Sequence, residues 1–160
     1  MQRIRRQLQS AATKWIRQAD PYDPQERMRH KLHRWKLPLL PGPAAARTLR
    51  RLEALRHLVP PRVCAAVLGA QWNRWTTARR FQRDRPCVLG CGQHAKDSLE
   101  HYAHCPVVQQ AGRRLLHLTM RSSPDGLADF LLATPPPTMT DRDLTCRALL
   151  AYAPYTVPHS

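Results

Sequence analysis

The tightest constraint on this chain is the segment CVLGCGQHAKDSLEHYAHC, in which three residues separate Cys87 from Cys91, nine separate Cys91 from His101 and three separate His101 from Cys105. Four side chains of the types zinc favours thus fall within 19 residues, and four protein ligands complete a tetrahedral site. A Zn2+ ion held there would fix the path of this stretch and contribute directly to folding. Gly90 and Gly92 bracket Cys91, so the backbone can turn tightly enough to aim both thiolates of the first pair at one point. Asp97 or Ser98 can cap a short helix on which His101 and Cys105, four apart, face the same way. His94 in the loop and His104 beside Cys105 compete for the nitrogen position, but neither reproduces that one-face spacing. The bland alternative is a set of free buried cysteines among surface histidines. Cys64 and Cys146 fit no ligand spacing and read as small core residues.

Fifteen prolines against six glycines divide the 160 residues into brief helices joined by stiff loops, and strand signals are nearly absent. Ile4, Leu8, Ala11, Trp15 and Ala19 recur at helical spacing, which predicts an amphipathic helix over residues 3–18. Met28, Leu32 and Trp35 mark a second short helix, followed by an extended connector over residues 38–43. Leu49, Leu52, Leu55 and Val59 give a third helix an apolar face and leave Arg47, Arg50, Arg51 and His57 mostly on a solvated basic side. Pro60 and Pro61 open a fourth helix, along one face of which Cys64, Val67, Leu68, Trp72 and Trp75 continue. The two tryptophans therefore read as core, with base stacking as the alternative. A helix from Pro106 turns Val108, Ala111, Leu115 and Leu118 inward, and another, capped by Ser123 with Pro124 at its first position, buries Leu127, Phe130 and Leu131. Residues 135–137 form a polyproline spacer before a last weak helix, roughly 141–152.

The net charge of +15 is one-sided. Residues 1–86 hold 20 Lys+Arg against 5 Asp+Glu, whereas residues 87–160 hold 6 of each. Such a field attracts polyanions, and because 22 of the 26 cations are arginine, phosphate can be met by two-pronged hydrogen bonding. An arginine-biased composition without a polyanion partner would produce the same total. The densest cation cluster, Arg79, Arg80, Arg83 and Arg85, lies just before the first cysteine and, with Arg74, forms the expected nucleic-acid contact. No apolar run approaches the roughly 18 residues of a membrane span, and the N-terminus lacks the apolar core of a secretory signal. An intracellular protein, nuclear or cytoplasmic, is expected; the basic amphipathic start leaves a mitochondrial targeting peptide as an alternative. Free cysteines clustered for a metal fit that reducing setting better than a disulfide framework does.

Catalytic signatures are missing from the sequence: there is no paired-aspartate polymerase motif, no glycine-rich phosphate loop with its lysine and no HExxH. Asp125 with Asp129 and Asp141 with Asp143 fall at expected helix starts, where carboxylates stabilise exposed amides.

The run WTTARRFQ, then CVLGC, then DSLEHYAHCP resembles the C-C-H-C zinc knuckle near the C-terminus of reverse transcriptases of LINE-type, non-LTR retrotransposons. The resemblance covers roughly residues 60–118. It implies the same four ligands, Cys87, Cys91, His101 and Cys105, and lends Arg79, Arg80, Arg83 and Arg85 a contact with template RNA or target DNA. The polymerase domain of that family has no counterpart here, so the chain looks like a C-terminal remnant of such an enzyme.

The expectation is therefore an all-α protein with irregular loops, its short helices packed around a single CCHC zinc knuckle. Its parts would be a basic helical segment and Pro-rich connector over 1–43, a helical core over 44–134 with the knuckle at 86–106, and a Pro-rich spacer with a weak helix over 135–160. Binding of RNA or single-stranded DNA without catalysis is the expected activity. The rivals are a zinc-stabilised protein-interaction module and a non-functional retroelement fragment.

Overall fold

The computed structural model describes residues 2–19, 23–37, 41–93, 95–118, 125–134 and 139–157. Among the described residues there are eight α-helices and no strand: α1 Gln2–Ala19, α2 Pro24–Arg34, α3 Pro41–Leu58, α4 Pro61–Gln71, α5 Leu99–His104, α6 Pro106–Leu116, α7 Asp125–Phe130 and α8 Asp141–Tyr155. A 3₁₀ turn, Arg79–Phe81, and an isolated antiparallel bridge between Pro86 and Lys96 lie between α4 and α5. The fold is all-α, as the sequence predicts. His94, Ser123, Pro124 and the spacer at 135–137 lie outside the described residues. No helix among the described residues is long and apolar enough to cross a membrane.

Proline starts helices here as well as separating them. Pro24, Pro41, Pro61 and Pro106 each occupy a first helical position, where the missing amide would have had no partner in any case. This corrects the connector expected over 38–43: α3 already begins at Pro41, and Pro43 sits inside its first turn. The helix then packs on two sides. Ala44 and Ala45 meet Met28 and Leu32 of α2 in a small satellite cluster, while Leu55 joins the main core, where α8 also packs.

That double packing overturns part of the solvated basic face expected on α3: Arg50 and His57 are exposed, but Arg47 and Arg51 are not. Arg51 is only 8% exposed and donates to the carbonyls of Leu132 and Thr134, the former at 2.6 Å, and Arg47 donates to Ala133 O at 3.2 Å. The Gln71 side-chain amide donates to Leu131 O at 3.1 Å. Consecutive carbonyls of the segment that follows α7 are thus satisfied by side chains of α3 and α4. Leu132 turns the chain there with φ of 58°. Asp129 is not a helix-start carboxylate either: it is buried, pairs with Arg147 of α8 and accepts the Thr134 hydroxyl.

The C-terminal helix expected to be weak is a main core element. Thr140 and Asp143 form a reciprocal capping box, and Leu144, Ala148, Leu150 and Ala151 are buried, with α8 packed on α3, α4 and α6. Two further expectations fail at helix ends. The α4 face does not continue to the tryptophans, because the helix stops at Gln71 and Asn73, at φ of 52°, reverses the chain. Trp75 then folds back into the core and donates from Nε1 to Ala66 O at 2.9 Å, while Leu68, expected inward, is 41% exposed. His117 ends α6 in a left-handed conformation and Leu118 beyond it is buried, whereas Leu115, still within the helix, is exposed. On α1, Ile4, Leu8 and Trp15 remain exposed.

Candidate metal centre

Three local structures deliver the four ligands. Cys87 begins a tight turn closed by the Gly90 amide on Cys87 O at 3.0 Å, and Gly90 and Gly92 adopt φ of 60° and 73°, a region that side chains disfavour. Of the two capping residues the sequence offered, Ser98 is the one used: its hydroxyl accepts the His101 amide at 3.1 Å and starts α5. Cys105 ends that helix and immediately precedes Pro106, so the chain turns at the ligand into α6.

The ligand atoms of Cys87, Cys91, His101 and Cys105 lie within 4.8 Å of one another. A tetrahedral ion about 2.3 Å from sulfur and about 2.0 Å from nitrogen requires S···S edges of about 3.8 Å and S···N edges of about 3.5 Å. The structure has Cys87 Sγ 4.0 Å from Cys105 Sγ and Cys91 Sγ 3.3 Å from His101 Nε2. The cluster can therefore hold one metal ion with little movement. His104, the competing donor within the described residues, is not part of it.

Its electrostatics suit a cation. Burial pushes the Cys87 thiol up to about 12, although the Leu89 amide donates to its sulfur and favours the thiolate. The Gln93 amide does the same for the more exposed Cys91 and holds its thiol below the ordinary value. Burial lowers His101, keeping the imidazole neutral and a nitrogen lone pair available. A doubly charged ion offsets the cost of burying these thiolates. The remaining cysteines, Cys64 and Cys146, are half-buried at the edge of the main core, away from the cluster.

Asp97 has a role that its sequence position next to the cap concealed. It is 1% exposed and accepts the Ala78 amide at 2.7 Å on one oxygen and the Tyr102 hydroxyl on the other. Its backbone carbonyl accepts the Arg79 amide at 3.1 Å and its amide donates to Arg85 O at 2.9 Å. The arginine-rich loop is thereby sewn to residues 95–97 and to α5. Within that loop, Arg79 pairs with Glu100, and Arg80 donates to the carbonyl of Arg74. The side chains of Arg74, Arg83 and Arg85 are exposed. Arg79 and Arg80 are therefore partly engaged in holding the loop's shape.

The chain matches no protein-family model, no curated protein and no solved structure.

Proposed function

We propose that the chain is a zinc-stabilised nucleic-acid-binding protein with no catalytic activity of its own. The observation that carries this reading is the Cys3His cluster with an arginine loop stitched to its helix, in a chain whose entire excess of positive charge precedes Cys87. Zinc is the ion of choice because three thiolates and one imidazole nitrogen are borderline-soft donors suited to tetrahedral coordination. With all four positions taken by protein, none is left for water or substrate, so the ion would be structural. Three thiolates, a neutral imidazole and Zn2+ total about minus one, so the centre itself would not draw phosphate. Its part would be to hold the loop that does, sparing that loop ordering cost on binding. The likeness of residues 60–118 to the knuckle of LINE-type reverse transcriptases agrees with RNA or single-stranded DNA as the ligand and with a retroelement origin. A decayed polymerase reading frame in the genomic DNA upstream of Met1 would support that origin, and unrelated sequence there would count against it. Five free cysteines accord with a nuclear or cytoplasmic location.

A second reading, a zinc-stabilised protein-interaction module, is favoured by Val107 and Leu115, which leave α6 with 39% and 76% exposure. Salt separates the two. Neutralising four phosphates of a single strand gives a slope of about minus 2.8 for log affinity against log salt, and apolar docking gives almost none. Replacing Arg79, Arg80, Arg83 and Arg85 together with glutamine should flatten that slope, and weaken binding similarly for different sequences. Equal slopes for wild type and the fourfold variant would refute the arginine loop as the contact.

A further inference from the structure

The end of α2 and the arginine loop, some forty residues apart in sequence, form two walls of one cleft of about 360 Å3. Lys31, Arg34 and Trp35 line it from the end of α2, and Trp72, Arg79 and Arg80 line it from the chain after α4. Four cations thus converge on a single concavity, against which stands Glu100, already paired with Arg79. Cations in the last turn of α2 complement the negative end of its dipole, which accounts for Lys31 and Arg34 on their own. It does not account for two more arginines arriving from another element.

The two tryptophans make the cleft more than a basic patch. Trp35 donates from Nε1 to Gln71 O at 3.1 Å, which fixes one wall to the end of α4. Lys31 Nζ lies 5.9 Å from the centroid of the Trp72 ring. Both indoles are half-buried, so apolar ring surface and cations share one opening. The volume is in the range of small-molecule sites, roughly 300–1000 Å3, and admits a single unstacked base with its sugar and phosphate. Single-stranded nucleic acid offers such a unit, charged on one side and flat and aromatic on the other, whereas a duplex keeps its base faces stacked inside.

Resting on the nucleic-acid reading, we propose that this cleft takes one nucleotide of a single strand. Its phosphate would lie among Lys31, Arg34 and Arg80 and its base against the indoles of Trp35 and Trp72. The interface then extends beyond the arginine loop to α2, and the loop's fixed shape sets the width of the opening.

The test uses the full-length zinc-loaded chain and labelled oligothymidylate, with a duplex of equal length as comparison. Lys31→Gln with Arg34→Gln, two surface changes whose folding is checked by circular dichroism, should weaken single-strand binding about tenfold. Weakening the neutralisation of that one phosphate should also flatten the salt slope, by up to about 0.7. Photocrosslinking of a 4-thiothymidine-substituted strand should map to Trp35 or Trp72. Unchanged affinity and slope in the double variant, with loss of binding in Arg83→Gln/Arg85→Gln, would overturn the cleft and leave the nucleic-acid reading standing. Duplex bound as tightly as single strand, or an acidic peptide displacing the strand from the cleft at equal concentration, would also overturn it. Failure of the wild-type chain to bind any nucleic acid at low salt would remove both readings together.

Discussion

Replacing Asp97 with alanine removes a carboxylate that is 1% exposed and is the acceptor for both the Ala78 amide and the Tyr102 hydroxyl. Both donors belong to buried residues, Ala78 at 6% and Tyr102 at 0% exposure. Each buried donor stranded in this way costs about 1–3 kcal/mol, and removing a buried charge returns part of that, so the expected loss is about 2–4 kcal/mol. Against a typical total of about 5–15 kcal/mol for a domain, this is a large fraction. Guanidinium unfolding of the metal-loaded protein, followed by circular dichroism, reads the change as a lower midpoint with an unaltered slope. Tyr102→Phe completes a double-mutant cycle, in which a coupling of about 1 kcal/mol or more is expected because the two side chains share one hydrogen bond. The variant should also loosen the loop that Asp97 anchors, raising the rate of tryptic cleavage after Arg79, Arg80 or Arg83. A loss below about 1 kcal/mol, with cleavage rates unchanged, would refute the anchoring role.

Arg51→Met should cost about 2–4 kcal/mol in the same unfolding assay, since the carbonyls of Leu132 and Thr134 lose a buried donor; an unchanged midpoint would mean that the turn after α7 finds other partners. Thr140→Ala should cost about 1 kcal/mol through loss of the α8 cap. Hydrogen bonds from Thr140 hold the Asp143 carboxyl below its ordinary value of 3.8, so its stabilisation is complete above that pH and is lost as pH falls through the lower folded value. The gap between wild type and Thr140→Ala should therefore narrow in acid, and a gap independent of pH would contradict the capping box.

The metal site was readable from sequence because ligand type and spacing act locally. Gly90 and Gly92 announce the turn, and His101 and Cys105 are four apart whatever the rest of the chain does. Two helix starts were equally legible, since Pro61 and Pro106 sit where a missing amide is harmless, whereas Pro24 reads as a helix stop and Pro41 as part of a connector although each starts a helix. Helix ends were not legible. Lys36, Asn73, Gln82, His117 and Leu132 all adopt positive φ without being glycine, so the usual signal for a reversed chain is missing, and Trp75 is buried as expected but reaches the core after a reversal of the chain, not along the α4 face. Tertiary satisfaction of polar groups was also invisible. Arg47 and Arg51 look like solvated cations until the carbonyls of residues 132–134, more than eighty positions away, arrive beside them. The same holds for the cleft, whose walls come from α2 and the loop after α4 and carry no common motif.

The central claim is that Cys87, Cys91, His101 and Cys105 bind one zinc ion, and elemental analysis of the purified full-length chain tests it most directly. The account predicts one zinc per chain, with Cys105→Ala weakening the metal by more than the ~10–100-fold that loss of an outer-shell partner costs. A chain purified in the presence of zinc that holds none, or a Cys105→Ala variant that retains zinc as tightly as wild type, would contradict it.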